Sequence, residues 1–200
     1  MPGVEMLEAK IIGVILLILA ARHALHAIGR WFHHEPVIAA YFSPKGGCTA
    51  ALVNELASAR REVLVQAYSF SSPEIANALI AAAKRRVRVV ILLDRSNEAE
   101  SYSQLSDLEK HGLKVLIDSS HAIAHNKLVV IDSRTVITGS FNFTRQAEHE
   151  NAENMLILRD HRELATRYRA NFQSHFDHCH PPSSGKPAHV HSRRAASSPH

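Results

Sequence analysis

The chain is poor in the residues that build several common kinds of site. Two of its 200 residues are cysteines, Cys48 and Cys179. Far apart in sequence, they allow one disulfide in an oxidising compartment or two free thiols, and neither has a partner base at a recognisable spacing. Nothing in that pair indicates a thiol nucleophile. Aromatic residues are only 6% of the chain, and no base-reading module accompanies them, so readout by base stacking is unsupported. No period of about 20 to 50 residues recurs, which excludes a solenoid. The apolar run from Ile11 to Ala21 stops short of the roughly 20 residues that span a bilayer.

What is present is concentrated in one segment. His125, Lys127 and Asp132 form an H-x-K-x4-D string, and Gly139, Ser140 and Asn142 follow as G-S-x-N. Histidine supplies a nitrogen nucleophile or proton carrier near neutral pH. Lysine brings a compact positive charge to phosphate oxygens, while Ser and Asn add neutral donors. These residue types together suit attack on a phosphodiester. Taken singly, each has an ordinary account: a structural histidine, a solvated lysine, an Asx-type turn aspartate, two loop formers. It is the joint pattern that carries weight.

The spacing predicts how these residues meet. Leu128 to Ile131 and Val136 to Thr138 are short apolar, β-branched runs with a turn at Ser133-Arg134 between them. Pairing Asp132 with Thr135 across that two-residue loop sets an antiparallel register in which Lys127 faces Ser140 and His125 faces Asn142. Residues two apart on a strand share a face, and opposed Cβ atoms lie roughly 5 Å apart. A polar square of His125, Lys127, Ser140 and Asn142 is therefore expected on one hairpin face. A loop of odd length would break it.

The string resembles the signature of the phospholipase D superfamily. The likeness continues through Gly139-Ser-Phe-Asn-Phe-Thr-Arg-Gln-Ala and Asn151-Ala-Glu-Asn-Met-Leu-Ile157, and upstream through Tyr41-Phe-Ser-Pro44 and Val65-Gln-Ala-Tyr-Ser-Phe70. These segments resemble the small bacterial nucleases of that superfamily, a branch that includes relatives at the mitochondrial surface. The resemblance implies a two-step reaction through a covalent phosphohistidine, without a metal or other cofactor, and it implies two histidines. No second H-x-K exists here, since His111-Gly-Leu-Lys114 has the wrong spacing. The second histidine is then expected from a second copy of the chain, most simply across a C2 interface.

By the same resemblance, His125 of each subunit shares one site, and Lys127, Ser140 and Asn142 bind the phosphate. Asp132 would orient or electrostatically support the site. Glu153 matches the family carboxylate that holds a catalytic histidine in its tautomer. The favoured activity is a non-specific endonuclease on DNA or RNA. A lipid hydrolase that cleaves phosphatidyl headgroups is the alternative, and a non-catalytic phosphate-binding dimer stands behind both.

Around the motif, 46% hydrophobic content suits one compact α/β domain. Strands are expected at Val37 to Phe42, Val63 to Tyr68, Arg88 to Asp94, Lys114 to Asp118 and Glu153 to Arg159. Helices are expected at Thr49 to Arg60, from Ser72-Pro73, at Glu98 to His111, and after a capping box at Asp160-x-x-Glu163. The last carries Leu164, Tyr168, Phe172 and Phe176 every four residues. The alternation reads as a mixed, mostly parallel sheet with helices on both faces, the phospholipase D-like fold. The net charge of +4 is compatible with a polyanion, and the run Lys84, Arg85, Arg86 and Arg88 is either a nucleic-acid contact or a solvated helix end.

Residues 1–34 form an apolar N-terminal segment, 35–179 the phosphodiesterase domain and 180–200 a basic His-, Pro- and Ser-rich tail. Ile11 to Ala21 has the size of an export-signal core, although Glu5 and Glu8 weaken the positive leader and the first small-x-small site is Ala27-Ile28-Gly29. Retained as an anchor, with Arg22 and Arg30 behind it, it would favour a cytoplasmic domain. His175, His178, Cys179 and His180 are ligand types, but chance clustering among 15 histidines accounts for them, and no metal is assigned.

Overall fold

The computed structural model describes residues 13–22 and 37–183. Glu5, Glu8, the Ala27-Ile28-Gly29 site, Arg30 and the tail from residue 184 lie outside the described residues. The chain divides between Pro36 and Val37. In the first unit, residues 13–22 are helical. Among the described residues no helix is long and apolar enough to cross a membrane.

The second unit runs β1 (Val37–Ser43), α1 (Cys48–Ser58), β2 (Glu62–Ala67), α2 (Pro73–Lys84), β3 (Arg88–Asp94), a 3-10 turn (Arg95–Glu98), α3 (Leu105–Lys110) and β4 (Lys114–Asp118). It continues through β5 (Lys127–Ile131), β6 (Thr135–Gly139), α4 (Arg145–His149), β7 (Glu153–Arg159) and α5 (Arg162–Phe176). The strands form one mixed sheet in the order β1-β7-β6-β5-β2-β3-β4. The expected α/β class is what forms, with a different balance. Only β2–β3 and β3–β4 are parallel; the other neighbours are antiparallel. Helical crossovers join the parallel strands, whereas the short β5–β6 link can only make a hairpin.

Strand periodicity sorts the side chains between two cores. Val63, Val65, Val89, Ile91, Val129, Ile131, Ile137, Met155 and Ile157 pack with α1 to α4 on one face. Leu64, Val90, Leu92, Leu128, Val130 and Val136 pack on the other against Ala165 and Phe172 of α5. Leu164, Tyr168 and Phe176 complete that contact, so the four-residue period lies where expected. Because the central strands are covered on both faces, they read in sequence as continuous apolar runs.

Local chemistry explains the helix ends. Ser72 caps α2 through Oγ, which accepts the Ile75 N–H at 3.3 Å, with Pro73 at N1. Of the single helix expected over Glu98 to His111 only the short α3 forms, and Glu98 instead ends the 3-10 turn. Ser103 Oγ bonds Asn97 Oδ1 at 3.1 Å and accepts the Leu105 N–H at 3.3 Å, diverting backbone and side chains from a continuous helix. The capping box at Asp160 does not form. His161 is the N-cap, its Nδ1 accepting the Leu164 N–H at 3.4 Å, while Asp160 takes φ 57° and pairs with Arg134.

Candidate active site

Lys127 opens β5 at the sheet end where β2 finishes at Ala67 and β7 begins at Glu153. Its side chain is 7% exposed. The ammonium donates to the His125 carbonyl at 2.8 Å and lies 5.1 Å from the centre of the Tyr68 ring, a cation–π arrangement. Burial pushes its pKa down to about 8, against the opposing pull of Glu153. Burial disfavours the charged form, so this cation is short of counter-charge.

His125 stands exposed just before the strand. Its ring rests on Tyr68 with centroids 4.6 Å apart, and among the described residues its ring nitrogens have no hydrogen-bond partner. The preceding loop is fixed by Asp94, which is 3% exposed. Asp94 Oδ2 accepts the Ala124 N–H at 2.8 Å, and Oδ1 accepts the Ser96 N–H at 2.9 Å. Tyr68 N–H donates to the Asn126 carbonyl at 3.1 Å, so β2 and β5 together position the imidazole.

The hairpin differs from the expected one by a single residue. Ile131, not Asp132, pairs with Thr135, and Val129 pairs with Ile137. The loop is Asp132-Ser133-Arg134, with φ of 52° and 54° at its first two residues and Arg134 N–H bonded to the Ile131 carbonyl at 3.0 Å. Asp tolerates this left-handed conformation better than most residues. The odd loop removes the predicted opposition of Lys127 to Ser140 and of His125 to Asn142.

A bulge re-aims the second strand. Ser140 and Phe141 N–H groups both donate to the Asn154 carbonyl, at 3.0 and 3.2 Å, which is two residues against one. Gly139 permits it: a Cβ there would lie 2.2 Å from the Asn154 carbonyl oxygen. Ser140 and Asn142 thus leave β6 at the same sheet end as Lys127. Ser140 Oγ accepts the Asn154 N–H at 3.0 Å, leaving its hydroxyl proton free. The side-chain oxygen of Asn142 is buried without a hydrogen-bond partner.

Glu153 is at this end as well, but not beside His125. Its Oε1 accepts from Asn151 Nδ2 at 3.2 Å, and its N–H donates to Ser43 Oγ at 3.2 Å. Two strand spacings, roughly 9.6 Å, separate β7 from β5, so within one chain Glu153 acts electrostatically on Lys127. Asp132 is not brought to the site at all. It sits at the other end of β5, roughly 16 Å of strand from Lys127, and accepts N–H groups from Arg60, Arg61 and Glu62 at 3.0, 2.8 and 2.9 Å. The basic run lies at that far end too. Arg85 donates to the Leu56 carbonyl at 2.9 Å and Arg88 pairs with Glu62 at 2.5 Å, so these two side chains of the run serve the scaffold.

Tyr68, Asp94 and Ser43 are contributors that the motif does not announce. Tyr68 and Ser43 lie inside the strings Val65–Phe70 and Tyr41–Pro44, and Asp94 is an acid ending an apolar strand. Glu148 is another: buried, it accepts Gly47 and Thr49 N–H groups at 3.1 and 2.7 Å and so caps the start of α1.

An uncommitted imidazole stands beside a buried lysine at the end of a mixed α/β sheet, in a chain with a single H-x-K motif. The chain belongs to the phospholipase D-like family: residues 52–176 match the family described as cardiolipin synthase, PLD-like domain. It is similar to a protein named phospholipase D from Rickettsia felis, 47% identical over 66% of this chain and 65% of the relative. It is also similar to the mitochondrial cardiolipin hydrolase of Xenopus laevis, 36% identical over 61% of this chain and 58% of that one. The chain thus spans under two thirds of the length of these relatives. Among solved structures, Nuc from Salmonella typhimurium, a phospholipase D family member, superposes with a TM-score of 0.70 at 33% identity, covering 72% of this chain and 97% of Nuc.

Proposed function

We propose that this chain is a phosphodiesterase whose active site is completed in a homodimer. The observation that carries the reading is the buried Lys127 ammonium beside an imidazole with no committed hydrogen bond. Phosphate oxygens supply the counter-charge that Lys127 lacks, and Ser140 and Asn142 add donors at the same sheet end. His125 then attacks phosphorus, forming a P–N bond as the P–O bond to the leaving group breaks. His125 of the partner subunit gives its proton to the departing oxygen. In the second step that histidine takes a proton from water, the water oxygen attacks phosphorus, and the P–N bond breaks to restore His125.

The preferred substrate is nucleic acid, supported by the likeness of residues 37 to 178 to the small bacterial nucleases. Lipid is the second reading. It is supported by the names of the Rickettsia and Xenopus relatives and by two exposed apolar side chains, Phe42, which precedes Ser43, and Ile123, two residues before His125, at 64% and 57%. The test is to incubate the full chain and His125→Ala, in EDTA, with plasmid, single-stranded DNA, RNA and headgroup-labelled phospholipid vesicles. Nucleic-acid cleavage lost by about 10³-fold or more in the variant is the expected result. Headgroup release alone would transfer the site to lipid, and activity retained by His125→Ala would overturn the nucleophile.

A further inference from the structure

Away from Lys127, at the outer edge of the sheet, four ligand-type side chains converge. Asp118 ends β4, His121 follows it, His175 lies in the last turn of α5, and His178 lies just beyond. One ligand atom from each comes within 4.8 Å of all the others. Asp118 Oδ2 is 3.1 Å from His121 Nδ1, 2.9 Å from His175 Nδ1 and 3.4 Å from His178 Nε2. The three rings stand with centroids 4.8, 5.1 and 5.4 Å apart. Cys179 and His180, their neighbours in sequence, are not members: His180 Nε2 instead bonds Ser119 Oγ at 3.0 Å.

Without a metal, each neutral imidazole would donate one N–H to Asp118 and leave it a buried anion with no cation beside it among the described residues. Asp118 is only 2% exposed, and a buried carboxylate needs compensation. Three imidazoles crowd one carboxylate oxygen, and charging all of them to compensate it would set like charges about 5 Å apart. A cation at the centre satisfies all four groups at once. The three Asp118–His separations, 2.9–3.4 Å, bracket the roughly 3.3 Å edge of a tetrahedron with bonds of about 2.0–2.1 Å, and the whole set of ligand atoms, within 4.8 Å of one another, would close onto an ion by small side-chain rotations. Three imidazole nitrogens and one carboxylate oxygen suit Zn²⁺, whereas Ca²⁺ and Mg²⁺ favour all-oxygen sets.

We propose that Asp118, His121, His175 and His178 form a tetrahedral Zn²⁺ site. With four protein ligands it has no open position, so it is a structural clamp and takes no part in phosphodiester chemistry. It ties the end of α5 to the loop that runs from β4 into His125. That join continues a bridge already present, in which Ile117 and His180 exchange backbone hydrogen bonds of 2.8 and 3.1 Å.

The test uses the untagged full chain, stripped with EDTA, desalted, and reloaded with Zn²⁺ or Co²⁺. One tightly held ion per chain is expected, with a visible Co²⁺ spectrum of tetrahedral intensity. Zinc at a hundredfold over its Kd should raise Tm by roughly 5–10 °C. His178→Gln and His121→Ala should both lose the retained ion and the Tm response. His178 is exposed, so its variant remains folded, checked by circular dichroism. Absence of retained metal in the wild type would overturn the proposal. Equal retention in the variants would also overturn it, placing the ion on other histidines.

Discussion

At the level of single residues, Lys127 carries two opposed pH dependences. Burial brings its pKa down to about 8 from an unfolded value near 10.5. Phosphate binding requires the ammonium, so affinity for inorganic phosphate as a competitor should fall as pH rises through about 8. Stability should move the other way. Between about 8 and 10.5 the unfolded chain holds a proton that the folded chain has released, and stability rises with pH wherever the unfolded state binds more protons. Urea midpoints and phosphate inhibition, measured across that window, should therefore diverge, and Lys127→Met should flatten both curves while weakening phosphate binding by about tenfold or more. Parallel curves would mean that another group dominates. His125 and Lys127 were legible in sequence because their types and two-residue spacing carry the chemistry directly. Tyr68 was not, since a ring becomes a platform for an imidazole only once β2 is laid against β5.

Among the elements, the β5–β6 hairpin shows where spacing arguments stop. Apolar alternation located both strands, but Asp132 could be read as the last strand residue or the first loop residue, and a one-residue choice inverts every facing pair. The structure resolves the choice through tertiary bonds that the hairpin sequence does not contain. Burial alone would raise the pKa of the Asp132 carboxyl; N–H donors from Glu62, Arg61 and Arg60 outweigh that and hold it below the usual range. Asp132 is thus the anchor of the turn onto the start of β2. Asp132→Ala should cost about 1–3 kcal/mol in denaturant unfolding, through orphaned amides and an alanine in left-handed backbone. Turnover per folded molecule should be unchanged. A loss of turnover at full stability would return Asp132 to the site. The lost capping box has the same origin: Asp160 is taken by Arg134, a partner 26 residues away in sequence.

For the whole molecule, the decisive consequence of one H-x-K motif is that a single chain holds half of the proposed chemistry. His125 is exposed, and its ring nitrogens meet no partner within the described residues, as expected of a group whose counterpart lies on another subunit. Glu153, two strands from His125 in one chain, fits the same geometry. In the proposed dimer, a C2 pair would bury identical surfaces and bring the two His125 side chains to one phosphate. Mixing wild type with His125→Ala makes this quantitative. At equal amounts and with free exchange of subunits, about a quarter of the dimers are wild type, half are mixed and a quarter are doubly mutant. If each turnover needs both histidines, specific activity should fall to about a quarter of the wild-type value once exchange is complete. If one histidine suffices, it should settle near half or above. Light scattering should give about twice the 22.2 kDa of one chain for wild type and variant alike. A monomeric, fully active wild type would remove the shared site, because a lone chain offers no second H-x-K to protonate the leaving oxygen.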